Sequence, residues 1–127
     1  PANFSEQCRQ ALDNVRSVLE AAGLNLENVV YTQVYLEDIS HYEEVNRVFA
    51  GYFGKTPPAR AVLGVARVPD APIQINAIAV RNLAEKRAVY PPNFKPDNSI
   101  APGILTHDRL FVSAMTGNDP ATGKVPD

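Results

Sequence analysis

Arg60 is the residue best placed to do chemistry. It follows Pro57-Pro58-Ala59 and opens a run of small and apolar residues, Ala61-Val-Leu-Gly-Val-Ala66. A guanidinium at the mouth of such a run suits a planar anion, because its fork pairs with a carboxylate through two parallel hydrogen bonds. The competing reading is a salt bridge that only pins the loop. Gln74 and Asn76 alternate with Ile73, Ile75 and Ala77, which puts both amides on one face of a strand. A solvated or interfacial sheet face accounts for them as well as a site does. Asn46 sits within the apolar spacing of Tyr42, Phe49 and Phe53, where an amide needs a partner, most often the backbone of a neighbouring loop.

Other constellations fall short. Gly117 to Lys124 resembles a phosphate loop only loosely: five residues separate Gly117 from Gly123, and Val125 stands where a magnesium-holding hydroxyl belongs. A turn is expected there. His41 and His107 have no partner at ligand spacing and both sit beside turns, so no metal site is expected. Cys8 falls on the apolar face of the first helix and reads as an inert core thiol.

Which elements would position these residues? Phe4, Cys8, Ala11, Leu12, Val15, Val18, Leu19 and Ala22 recur at helical period, and Gly23 follows as a stop. Asn3-Phe4-Ser5 matches a glycosylation sequon and is taken as chance. Val29 to Leu36 is β-branched and aromatic, the composition of a strand. Ser40 and Glu43 predict a capping box for a second helix that ends at Gly54. A strand from about Ala59 to Arg67 would complete a βαβ unit, with the strands parallel. Val68 to Pro72 reads as a turn, and Ile73 to Val80 as the antiparallel return. Residues 91–102, with four prolines, must be extended. Arg109 to Met115 predicts a last strand, and Asn118 to Gly123 a hairpin turn. The class is α+β: two helices packed on one face of a mixed sheet.

The chain of 127 residues is one domain's worth, with 45% hydrophobic and 20% charged residues, the balance of a globular domain rather than a disordered one. A net charge of −2 gives no general electrostatic case for a nucleic-acid partner. One cysteine forms no internal disulfide, and no apolar run approaches a bilayer span of about 20 residues. No membrane partner and a cytoplasmic location are the expectations.

Several segments together are similar to the YjgF/RidA family, also called the L-PSP endoribonuclease family. They are Gln10-Ala-Leu-Asp-Asn-Val15, Leu19-Glu-Ala-Ala-Gly23, Val34-Tyr-Leu-Glu-Asp38, Val45-Asn46, Pro58-Ala-Arg60, Gly64-Val-Ala-Arg-Val-Pro69 and Ile75-Asn-Ala-Ile-Ala79. Ala101-Pro-Gly103, Leu110-Phe-Val-Ser113 and Asp119-Pro-Ala-Thr-Gly-Lys-Val-Pro126 resemble it too, in an inverted order. Residues 1–81 resemble the family's back piece and residues 86–127 its front piece. A single domain in permuted order, a slice of a tandem duplication or a processed chain would each give this arrangement. The connection Asn82 to Lys86, fully extended, reaches about 17 Å at roughly 3.4 Å per residue, enough to cross a strand or two or to hand the front piece to a neighbour. In the permuted reading Asp127 and Pro1 lie close together.

The resemblance implies a chorismate-mutase-like fold, a homotrimer with clefts between subunits, and no cofactor. It implies hydrolysis of reactive imines and enamines of 2-oxo acids, with a small 2-imino or 2-oxo acid as ligand. Arg60 would grip the carboxylate and Ser113 would line the cleft. Where the family's active members carry a water-orienting glutamate this chain has Asn76, and Gln74 replaces another common acid. Gly103 stands where a tyrosine often follows the Gly-Pro turn, and Val62 where a cysteine follows the arginine. An amide positions water but takes no proton from it at neutral pH. A non-catalytic carboxylate-binding or chaperone-like trimer is therefore the alternative, with ribonuclease activity behind both.

Overall fold

The computed structural model describes residues 3–127. Helix α1 spans Phe4–Ala21 and helix α2 Tyr42–Phe53. The strands are β1 Val29–Leu36, β2 Ala59–Gly64, β3 Ile73–Ala79, β4 Arg87–Val89, β5 Gly103–Leu105 and β6 Leu110–Val112. The class is α+β, as the sequence predicts. Pro1, whose distance to Asp127 the permuted order turns on, lies outside the described residues.

Local chemistry fixes the helix ends. Asn3 in the would-be sequon is the N-cap of α1: its side chain accepts from the Glu6 N–H at 2.9 Å, and Glu6 Oε2 accepts from the Asn3 N–H at 3.2 Å. The expected Ser40–Glu43 box does not form. Asp38 instead caps a short 3-10 turn, Ile39–His41, which runs straight into α2, and His41 gives α2 no side-chain cap. Gly23 and Gly54 take positive φ, +76° and +57°, where a Cβ would be strained, so both helices stop where expected.

Strands β1 and β2 pair in parallel across α2, as the βαβ reading requires. The return strand is antiparallel, as expected: β3 pairs with β1, giving the order β2-β1-β3. Strand β2 ends early, at Gly64, where a Cβ would sit 3.4 Å from Ile39. A second antiparallel sheet, β4-β5-β6, forms from the last third of the chain, where the sequence pattern marked only one strand. The mixed sheet is thus two three-stranded sheets. The link at residues 82–86 is not extended but a 3-10 turn, Leu83–Glu85, capped by Asn82. Residues 118–123 make the expected turn, with the Gly123 N–H on Asp119 O at 2.7 Å.

Alternation along β1 divides the first sheet. Thr32, Val34 and Leu36 face the helices, as do their register partners Arg60, Val62 and Gly64 on β2 and Ala77, Ile75 and Ile73 on β3. Over this face pack Cys8, Leu12 and Leu19 of α1 with Val45, Phe49 and Phe53 of α2. Each such side chain stabilises the fold by roughly 1.5–3 kcal/mol on full burial. A register shift between Val29 and Tyr31 adds one residue, so Val30 joins a second cluster with Ala59, Ala101 and Ile104. That cluster fastens the second sheet to the first. The other face of the first sheet carries Tyr31, Gln33 and Tyr35 beside Gln74, Asn76 and Ile78.

Candidate functional site

Arg60 is 1% exposed on the helix-facing side of β2. Its Nη2 donates to Asn46 Oδ1, and its guanidinium carbon lies 4.9 Å from the Phe49 ring centroid and 5.7 Å from that of Tyr42. Those rings give cation–π support on a face that excludes water. Asn46 thus finds its partner in the Arg60 side chain and not in a loop backbone, a correction to the expectation. The reason is register: α2 crosses over β2 so that the polar position within its apolar stripe faces the one cation on that strand.

The remaining guanidinium groups are unsatisfied. Nε and Nη1 are buried without a hydrogen-bond partner among the described residues, and so is Oγ1 of Thr32, the register neighbour of Arg60. No carboxylate of the described residues pairs with Arg60, so the pinning salt bridge is not present. Burial pulls the Arg60 pKa below its ordinary value, opposed by Tyr42 and then by the charge of Asp97. Asp97 is itself held below the usual carboxylate range, because its Oδ1 accepts from the Ser99 hydroxyl at 2.6 Å and the Ser99 N–H at 2.7 Å; Arg60 adds a smaller contribution.

Ser113 works on the backbone. The Arg60 N–H donates to Ser113 Oγ at 2.9 Å, and that hydroxyl donates to Ala101 O at 2.6 Å. The Ala114 N–H reaches Arg60 O and the Ala101 N–H reaches Pro58 O, both at 3.0 Å. The segment after β6 therefore zips along the outer edge of β2 and fixes where the arginine starts. Ser113 also borders a cavity of about 80 Å³ with Phe94, Asp97, Ile100 and Met115.

The other expected residues lie elsewhere. Val62 is one turn of the pleat beyond Arg60, packed into the main core. Gln74 and Asn76 are on the opposite face of the sheet, where Asn76 shares a cavity of about 280 Å³ with Tyr31, Gln33 and Tyr35. One subunit therefore does not bring Arg60 and Asn76 together. Gly103 is buried within β5, where a Cβ would meet Leu110, Val89 and the Phe111 carbonyl. His41 is engaged by Glu44 at 2.9 Å and stacks on Phe4 at 4.0 Å. Cys8 is fully buried, and burial pushes its thiol up to about 11, the inert state expected of it.

Sequence reasoning missed Thr32, Asp97 and the ring walls. Tyr42 and Phe49 read only as core. Asp97 carried one signal, the Asp-Asn-Ser spacing of a side-chain-to-backbone turn.

The family model described as Endoribonuclease L-PSP matches residues 1–81. The chain belongs to this family, the YjgF/RidA family. A RutC family protein of Pyrococcus horikoshii is 42% identical over 80 residues, covering 62% of this chain and 64% of the relative. The 2-iminobutanoate/2-iminopropanoate deaminase of Escherichia coli K12 is 44% identical over 85 residues, covering 64% and 66%. The matches thus span just under two-thirds of these relatives' own length. Among solved structures, the YjgF gene product of E. coli superposes with a TM-score of 0.61 at 42% identity, over 65% of this chain and 68% of that one. E. coli TdcF with bound serine gives 0.61 at 34% identity over the same shares. These likenesses place the YjgF/RidA fold on firm ground. The helix-facing arginine, the asparagine beneath it and the sheet that carries both are features of this family member's own geometry.

Proposed function

We propose that the protein hydrolyses reactive imines or enamines of small 2-oxo acids to the oxo acid and ammonia, with Arg60 anchoring the substrate carboxylate. The observation that carries this reading is the buried guanidinium with partnerless Nε and Nη1. Such groups are costly to leave unmade, about 1–3 kcal/mol each, and a carboxylate is the ligand that relieves them. Asn46 uses one of the two Nη2 hydrogens, so the second still makes a fork with the neighbouring hydrogen of Nε or Nη1. The deaminase relatives support the imine as substrate.

In the proposed reaction water adds to the protonated C=N carbon, giving a carbinolamine. Proton transfer to nitrogen and loss of ammonia then leave the C=O. Held by its carboxylate, the substrate keeps the C=N carbon in one orientation, and orientation alone accelerates an already labile bond. Since one subunit keeps Asn76 on the face away from Arg60, water would be positioned by Asn76 only where a trimer brings a neighbour's open sheet face to the site, and an amide there would not accept its proton. Entry to Arg60 requires its surroundings to part, and the segment carrying Asp97 is the piece proposed to move. A homotrimer would cover the open sheet face, where Leu63 and Ile78 are 48% and 46% exposed. The hydrogen bonds from Ala101 and Ala114 to Pro58 and Arg60 support residues 86–127 as part of the same domain.

The test couples the protein to a dehydratase that releases 2-iminobutanoate and times oxo-acid formation. Acceleration at micromolar protein, lost on substitution of Arg60, is the expected result; no acceleration removes this substrate. Asn76, an amide and not a carboxylate, favours the second reading, binding without turnover. Saturable, arginine-dependent binding of 2-oxobutanoate with no acceleration would select it. RNA cleavage that is indifferent to Arg60 would contradict both.

A further inference from the structure

A third cavity, of about 240 Å³, lies where the link between the two sheets folds back on the first. Lys86, Lys55, Glu27, Thr56, Leu83 and Ile104 border it. Its volume is below the range that takes drug-sized ligands and suits a small metabolite. Lys86 is half-buried in its wall and donates to two backbone carbonyls, Glu27 O at 2.9 Å and Thr56 O at 3.2 Å. Neither acceptor is charged, and no carboxylate among the described residues pairs with the amine. Two acceptors match the two N–H bonds of a neutral amine and leave its lone pair free. The third position on that nitrogen points to neither carbonyl and is open to water or to a small ligand.

We infer that Lys86 is a nucleophilic amine that condenses with small carbonyl compounds bearing a carboxylate, such as 2-oxo acids and aldehydic acids, with Lys55 as the counter-charge for that carboxylate. Burial brings the Lys86 amine down to about 8 from 10.5, with Glu27 acting weakly the other way. About half of it is therefore neutral at pH 8, against well under one per cent of an ordinary lysine. Glu27 and Lys55 are the charged groups that border the cavity beside it.

The step balances without a further reactant. The Nζ lone pair attacks the carbonyl carbon, a C–N bond forms, and the carbonyl π pair moves to oxygen. One nitrogen proton passes to that oxygen through solvent water. Expulsion of water, with loss of the second nitrogen proton, leaves C=N. Amine and carbonyl have become imine and water. Arg60 takes no part, so this inference stands apart from the proposed hydrolysis.

Glyoxylate with borohydride at pH 8, followed by digestion and mass mapping, tests it. The borohydride reduces the imine to a stable secondary amine on the lysine that formed it. Lys86 is expected to label about tenfold or more ahead of Lys55, Lys95 and Lys124, given the difference in neutral fraction. Lys86→Arg, with an unchanged circular dichroism spectrum, should lose that preferred label, and Lys55→Gln should slow labelling by glyoxylate more than by acetaldehyde. Even labelling across the four lysines would overturn the inference. So would unchanged labelling by glyoxylate in Lys55→Gln, at least for the assigned counter-charge.

Discussion

Replacing Arg60 by Met and Asn46 by Leu together separates a structural arginine from a ligand-seeking one. The partnerless Nε and Nη1 groups cost about 1–3 kcal/mol each, so about 2–6 kcal/mol in all. Against this stand the charge-assisted bond to Asn46, about 1.5–3 kcal/mol, and the Phe49 and Tyr42 faces, about 0.5–2 kcal/mol. The two sides nearly cancel. Removing the polar pair for apolar groups of similar length should therefore leave stability within about 1 kcal/mol of wild type, or raise it. Arg60→Met alone strands the Asn46 oxygen and should be the less stable of the two by about 1–2 kcal/mol. Carboxylate binding should respond very differently, because losing one partner of a buried hydrogen-bonded charge pair costs about 2–5 kcal/mol, or about 30-fold to several thousandfold. Urea denaturation gives the stability and calorimetry with 2-oxobutanoate the affinity. A double variant that loses more than about 3 kcal/mol of stability, yet binds 2-oxobutanoate as wild type does, would refute the reasoning.

Three further outcomes follow from the same contacts. Lys86 has a lower pKa folded than unfolded, so between about 8 and 10.5 the unfolded chain holds more protons and stability rises with pH. Because solvent screens this half-exposed amine, the gain from pH 8 to 9 should be only about 0.5 kcal/mol by urea midpoint and absent in Lys86→Met; above pH 9 the buried Cys8 thiol, with its raised pKa, works in the opposite direction. Ser113→Ala removes the hydroxyl that joins the Arg60 N–H to Ala101 O and should cost about 2–3 kcal/mol, read by thermal or urea unfolding. Asn3→Ala removes the α1 cap and should cost about 1 kcal/mol without changing 2-oxobutanoate affinity.

The elements that form from local periodicity were legible in the residues. Helices α1 and α2, their glycine stops and strand β1 needed only spacing and turn chemistry. Partner choice was not legible: the pattern marks β3 as an antiparallel return without saying which strand it joins, and the sheet places it beside β1. Short strands such as β4 and β5, three residues each, carry too little alternation to detect and exist because they pair with one another. At the site, Arg60 and Ser113 stood out by position and by family likeness. Their mutual bond did not, since it joins residues 53 apart through the docking of one sheet on another. Asn76 aligned in sequence with a functional position, yet the pleat sends it to the face away from Arg60. Alternation alone made that separation predictable once the register was known.

The central claim is that the guanidinium of Arg60 receives the substrate carboxylate. The most direct measurement is the Arg60 Nε–H resonance in a proton–nitrogen correlation spectrum, assigned by its loss in the double variant and followed during titration with 2-oxobutanoate. A saturable downfield shift, with the same midpoint as the calorimetric binding curve, is the expected result. A resonance that stays in place while the ligand binds would contradict the account.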